Sequence, residues 1–284
     1  MPHTVADVNR IIETLWPLSG AESWDAPGFL AGDPAAPVTV IHLAVDAVLD
    51  TVDEAIAIGA SVLLVHHPLL LRGVTTIAGS TYKGAVLAKL IKADCALIAA
   101  HTNADVVAQG TSGVFAARLG LTDVRAIDGE PGTDDAAHGL GRVGALPTPT
   151  TLGELAGQLG ELLPATAGGI RVSGDFDAPI ATVALCGGAG DSLLSDPAVL
   201  AADVYITSDL RHHPASEARE NARVAGGPAL IDVSHWASEW LWLDTAANQL
   251  REALPDVTVT VSDLRTDPWD FVVVQNNRVE KLWP

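Results

Sequence analysis

The stretch GASVLLVHHPLL, residues 59–70, decides the architecture. Ser61–Val65 is a continuous apolar run of strand length, and it leads straight into His66. Unbroken apolar runs of this kind mark strands buried on both faces. The run is preceded by Leu49–Ile58, which reads as a helix stopped by Gly59. It is followed by Lys83–Ala93, again helical, and by Cys95–Ala100, a second buried strand that ends at His101. Val38–Val45 is a β-branched strand ahead of both. This strand–helix–strand rhythm predicts a mainly parallel sheet covered on both faces, with function gathered beyond the carboxyl ends of its strands.

Upstream, residues 4–16 read as an amphipathic helix. Thr4 caps it, Asp7 completes a capping box, and Val5, Val8, Ile12 and Leu15 share one face. Downstream, the acidic stretch DGEPGTDDAAH at 128–138 is poor in large apolar residues and marks a lobe boundary. The rhythm then resumes. Leu152–Leu163 reads as a helix, Ile180–Cys186 as a strand and GGAG at 187–190 as a loop. Val204–Thr207 is a strand, about 214–223 a helix, and Ala229–Val233 a strand running into His235. A helix of about 18 residues follows, then a late strand at Val257–Val261. The late helix carries Trp236, Trp240 and Trp242, a run that suits core packing or a subunit contact.

The chain has 284 residues, 48% of them hydrophobic, enough for one large α/β domain or two lobes. Acidic residues outnumber basic ones 35 to 16, a formal charge of −19 that disfavours nucleic acid and anionic membrane surfaces as partners. An anionic small molecule remains compatible, because a bound metal reverses the local sign. Cys95 and Cys186 sit in apolar runs and read as buried thiols. No apolar h-region opens the chain and no apolar run reaches the length of a membrane span, so a cytoplasmic location is expected.

Three segments carry chemistry, each just past a predicted strand. His66-His67-Pro68 is the first. Adjacent strand residues point to opposite faces, so both histidines can serve one site only where the strand ends, and Pro68 helps end it. His101-Thr102-Asn103-Ala104-Asp105 is the second, with a carboxylate able to bridge two cations. The third is His235 with Glu239, four residues apart and so on one helical face. Taken singly, each also reads as an ordinary cap, turn or i,i+4 pair. Together they offer five N/O donors, more than one tetrahedral ion needs, which suits two ions sharing a carboxylate. A second His-His-Pro at 212–214 faintly echoes the first.

The order of segments resembles the Nif-three-like dinuclear metal-centre proteins, also named GTP cyclohydrolase 1 type 2 homologues. The resemblance runs through Glu22, Trp24, Asp25 and Gly28, then GASVLLVHHPLL, AHTNADV (100–106) and GLGRVG (139–144). It continues through VALCGGAGDS (183–192), DVYITSDLRHH (203–213) and LIDVSHWASE (230–239). It implies metal ligation by His66, His67, Asp105, His235 and Glu239, and two divalent ions drawn from Zn, Mn, Fe, Co or Ni. It also implies that His101 lies near the metals and that His213 lines the same cleft, both as candidates to move protons. The fold implied is α/β: two three-layer α/β/α lobes with mixed, mainly parallel sheets and the metal site in the cleft between them. The first lobe would take 1–127 plus about 236–284, and the second about 128–235. The implied assembly is a toroidal hexamer, and the implied reaction is hydrolytic opening of the purine ring of GTP. Phosphoester or nucleotide hydrolysis by two-metal chemistry, and a non-catalytic metal-binding scaffold, are the alternatives. Three positions depart from the family pattern: Ser234 and Ser208 stand where glycine is usual, and Ala26 where asparagine is.

Overall fold

The computed structural model describes residues 2–129 and 138–273. Most of the acidic stretch expected to part the lobes, 130–137, lies outside them, as do residues 274–284. The chain opens with α1 (Val5–Leu15), whose capping box between Thr4 and Asp7 forms as expected. There follow β1 (Gly28–Ala31), β2 (Val40–Ala44), α2 (Leu49–Ala57), β3 (Val62–Val65), α3 (Tyr82–Lys92) and β4 (Ala96–Ala99). After β4 come two short helices, α4 (Thr102–Asp105) and α5 (Thr111–Arg118), then β5 (Thr122–Arg125), β6 (Arg142–Thr151), α6 (Leu152–Leu162), β7 (Arg171–Ser173) and β8 (Pro179–Ala189). The last part is α7 (Pro197–Leu200), β9 (Val204–Ser208), α8 (His212–Ala225), β10 (Ala229–Val233), α9 (His235–Ala253) and β11 (Thr258–Val261).

The strands form two sheets, ordered β1-β4-β3-β2-β11 and β5-β6-β8-β9-β10-β7. Both have a parallel centre and antiparallel members towards the edges: β2, β3, β4 and β11 run parallel, as do β8, β9 and β10, while β1, β5, β6 and β7 pair antiparallel. Thr122–Arg125, placed before the expected boundary, is an edge strand of the second sheet. The late helix leaves β10 of the second sheet and delivers the chain to β11 of the first.

Side-chain alternation explains why the central strands read as unbroken apolar runs. In β3, Val62 and Leu64 face a core shared with α1 and α9, while Leu63 and Val65 face α2 and α3. In β8, Val183 and Leu185 face that same shared core, and Ala184 and Cys186 face the side of α7 and α8. Each sheet is therefore covered on both faces, and the shared core joins residues of both sheets. Within it Trp16 and Trp242 meet edge to face at 5.1 Å, so Trp242 is core packing, and the buried Trp236 packs into the same cluster.

Three expectations need correction. The GGAG segment is not a loop from its start: β8 continues through Ala189. The β6 strand was not expected, because Pro147 and Pro149 argue against a strand inside a sheet. The register of β6 against β8 breaks between Ala145 and Thr150, so the prolines sit where no ladder bond is required. The helices α4 and α5 were also missed; both are short, and α5 has Gly113 inside it and no side-chain cap.

Arg142, at the start of β6, is buried, and its guanidinium donates to the carbonyls of Gly139, Gly141 and Val107. It thereby ties the loop after α4 to the strand entry of the second sheet. Arg142→Met is expected to leave those carbonyls without donors and cost about 3 kcal/mol. Urea unfolding should show the loss as a lower midpoint, with Arg142→Lys recovering only part of it.

Candidate metal centre

The carboxyl ends of strands from both sheets supply the site. His66 and His67 follow β3, His101 and Asp105 follow β4, and His235 opens α9 after β10. Glu239 is one turn further along α9 and is buried. The rings of His66, His67 and His101 lie within 5.1–5.5 Å of one another, centroid to centroid, and His67 and His235 lie 5.1 Å apart. The structure thus brings together all five residues expected to ligate, and His101 beside them.

Each imidazole is held by its Nδ1. His66 Nδ1 bonds the carbonyl of Ala100 at 2.8 Å, and His67 Nδ1 bonds Asp46 at 2.7 Å. His235 Nδ1 bonds Asp209 and His101 Nδ1 bonds Asp25, both at 2.8 Å. Carbonyl and carboxylate oxygens only accept, so each of these contacts places a proton on Nδ1, and the neutral form of each ring has its lone pair on Nε2. Those lone pairs converge. His67 Nε2 and His235 Nε2 are 3.2 Å apart, and each is 2.9 Å from an oxygen of Glu239. His66 Nε2 lies 3.5 Å from Glu239 and 3.6 Å from Asp105.

Such an arrangement fits a cation. Lone pairs facing each other at 3.2 Å repel unless something positive sits between them. His66 Nε2 is buried with no hydrogen-bond partner among the described residues, and an atom so placed needs one. Two groups have ligand atoms close enough to share an ion: His66, His67 and His101, and His67, His235 and Glu239. Three imidazoles and two carboxylates form a borderline N/O donor set, which the common divalent transition ions share.

Without a metal, protons on the histidines balance the buried carboxylate. Burial would raise the Glu239 carboxyl, but His235, His67 and His66 together hold it well below the usual carboxylate range. Burial would lower His235, but the Glu239 charge and the Asp209 bond lift it to about 10. His66 and His67 are lifted against burial too, chiefly by Glu239. Burial raises Asp105, with the charge of His66 opposing. The outer support of His101 is firmly ionised: burial opposes it, yet hydrogen bonds from His101 and Thr102 bring Asp25 down to about 2.

His213 is the one expected site residue outside the group. It sits exposed in the first turn of α8, a helix with no buried residue, and packs against His212 at 5.2 Å. The second His-His-Pro therefore does not repeat the first. Four contributors escaped the sequence reading. Asp46 and Asp209 aim the histidines, Thr111 donates to Asp105, and Gly188 backs the donors. A Cβ on Gly188, whose φ is +73°, would stand 2.3 Å from Glu239 Oε1 and 3.2 Å from His235 Nε2, so only glycine fits. Asp46 and Asp209 had one available signal, their position just past β2 and β9. The serines at 208 and 234 cause no backbone conflict. Ser234 has φ −65° and caps α9, and the left-handed residue beside Ser208 is Asp209 itself.

The model of the family described as Duf34/NIF3 (NGG1p interacting factor 3) matches residues 3–268. A Streptomyces coelicolor protein named GTP cyclohydrolase 1 type 2 homolog is 47% identical over 93% of each chain. A Mycobacterium leprae protein of the same name is 34% identical over 95% of this chain and 96% of its own. That alignment runs to 376 positions, more than this chain has residues, so the relative carries insertions absent here. Among solved structures, Staphylococcus aureus protein SA1388 superposes with a TM-score of 0.85 at 28% identity, covering 96% of this chain and all of that one. A Bacillus cereus protein related to NIF3 gives the same score at 24% identity, which speaks for the fold.

Two outcomes follow from the anchored imidazoles. Asp209→Ala should weaken metal retention about 10- to 100-fold while leaving the fold intact, read by competition with a chelator. The pH dependence has a definite sign. A histidine raised from 6.5 to about 10 stabilises the metal-free protein fully below pH 6.5, and that contribution is lost as pH rises towards 10. Metal displaces the same protons, so it binds more tightly as pH rises. The gap in melting temperature between metal-loaded and chelator-stripped protein should therefore widen from pH 6.5 to pH 9.

Proposed function

The chain belongs to the Duf34/NIF3 family, and from that premise we propose that it is a hydrolase working with two divalent cations. The cations would be held by His66, His67, Asp105, His235 and Glu239, and the substrate would be a nucleotide of the GTP type. One observation carries the reading: the Nε2 atoms of three anchored histidines converge on the buried Glu239 carboxylate. Such a centre, when loaded, supplies an activated water and charge to steady a developing oxyanion.

The protein's own groups have separate tasks in this reading. Asp46, Asp209 and the Ala100 carbonyl fix the tautomers of the three ligating imidazoles. Asp25 fixes His101 with Nδ1 protonated, so its Nε2 is the atom able to take up and return a proton beside the reacting bond. Thr111 donates to Asp105 and steadies that carboxylate. The relatives' name directs the reaction towards the purine ring of GTP, opened by hydrolysis with release of formate. The ring of six subunits belongs to the same reading, and light scattering on the purified chain tests it. Among the described residues no helix is long and apolar enough to cross a membrane.

The decisive measurement is formate release from GTP by metal-loaded protein. Formate is expected from the wild-type chain and none from Glu239→Ala, which should also lose most of its metal by elemental analysis. Phosphate in place of formate would move the assignment to phosphoester hydrolysis. No turnover by fully loaded protein would leave a metal-keeping scaffold.

A further inference from the structure

A cavity of about 780 Å³ opens beside the centre, with His67 and His235 in its lining. That volume is typical of sites for molecules of nucleotide size. One side is formed by the segment after β11. This strap is hung on the site's own supports: Thr266 Oγ1 donates to Asp46, which aims His67, and Ser234 Oγ, beside His235, donates to Asp267 at 2.8 Å. Past those two ties the strap carries Trp269 and Phe271, which line the cavity although 68% and 80% exposed. Gly168 and Gly169 line it too, with open space where a Cβ would stand. Arg171 is also in the lining; it bonds Asp232 at 2.8 Å, and 66% of its side chain is exposed.

The acids of this cavity are all engaged. Asp46 and Asp209 hold histidines, Asp232 holds Arg171 and the Leu210 N–H, and Asp267 holds Ser234. A large indole, two residues past a tie to the site's supports and left open to water, is unexplained by the packing of the described residues. Bare glycine backbone and an arginine share its cavity. We propose that Trp269 is the wall against which the planar heterocycle of the substrate packs beside the cations, with the substrate's phosphates directed to Arg171 and the bare backbone of Gly168 and Gly169. This rests on the hydrolase reading above and names the part of the substrate that the cavity selects: a purine ring, not the phosphate chain alone. Stacking on an aromatic side chain contributes enough to be measured, because every base has a π face to offer.

Titration calorimetry of the metal-loaded full chain with GTP and with inorganic tripolyphosphate separates ring from phosphates. The wild-type chain is expected to bind GTP about tenfold or more tighter than tripolyphosphate. Trp269→Ala should lose about tenfold of its GTP affinity and none of its tripolyphosphate affinity, and Trp269→Phe should recover most of the loss. Equal GTP affinity in Trp269→Ala and wild type overturns the proposal, and so does a wild-type chain that binds the two ligands equally. Both results leave the hydrolase reading standing. That reading fails separately, if the purified chain retains no metal or if the metal-loaded protein releases no formate from GTP. The Trp269 comparison is then made with guanosine on the stripped protein, where loss of binding in Trp269→Ala supports the wall and unchanged binding removes it.

Discussion

Burial of the Glu239 carboxylate among imidazoles that cannot turn away is the constraint on which the site depends. A buried carboxylate costs several kcal/mol unless charge or hydrogen bonds compensate it. Here the compensation comes from His66, His67 and His235, each already committed at Nδ1 to a fixed acceptor. The rings therefore cannot rotate to donate better without giving up a bond of their own. Protons on the three histidines satisfy this charge balance in one way, and cations satisfy it in another. The geometry favours the second, because protonated rings at 3.2 Å between nitrogens would repel, whereas a shared cation draws both lone pairs inward.

The helix that carries Glu239 also explains why the fold holds together around the site. Its first turn faces the donors, and its later turns, through Leu241, Trp242, Ala246 and Leu250, fill the core that both sheets share. Trp242 stands behind His66, with ring centroids 5.5 Å apart, and packs on Trp16 from α1. A shift of this helix along its axis would move the two donors and unpack the shared core together. The position of the donors is thus stabilised by apolar burial remote from them, which is how a site of mutually repelling and attracting charges keeps one geometry.

The sequence made some of this legible and hid the rest, for physical reasons that differ by residue. The central strands β3, β4, β8, β9 and β10 could be read because burial on both faces writes apolar residues at most of their positions. The five candidate donors stood out only in combination, because each segment alone also reads as a cap, a turn or an i,i+4 pair. The strand β6 could not, since Pro147 and Pro149 hide a ladder that is in fact interrupted where they stand. Asp46 and Asp209 could not, because a loop aspartate that aims a histidine has the same spelling as one that faces water. His213 misled in the opposite direction. Its place in a shared motif says that it recurs, and says nothing about which way the first turn of α8 faces.

Charge ties the site to the kind of molecule it can hold. The chain is strongly acidic, at −19, and four of its aspartates line the cavity beside the centre. Left uncompensated, that field would repel any phosphate. Each of the four is bound to a neighbour in the chain, which removes hydrogen-bond demand but only part of the negative potential. Reversal of sign has to come from ions at the histidines, since a bound divalent cation is the largest local charge in such a site. An anionic substrate and a metal-loaded centre are thus one requirement seen from two sides. In the proposed reading, the loaded centre is what offsets this acidity for a small anionic substrate.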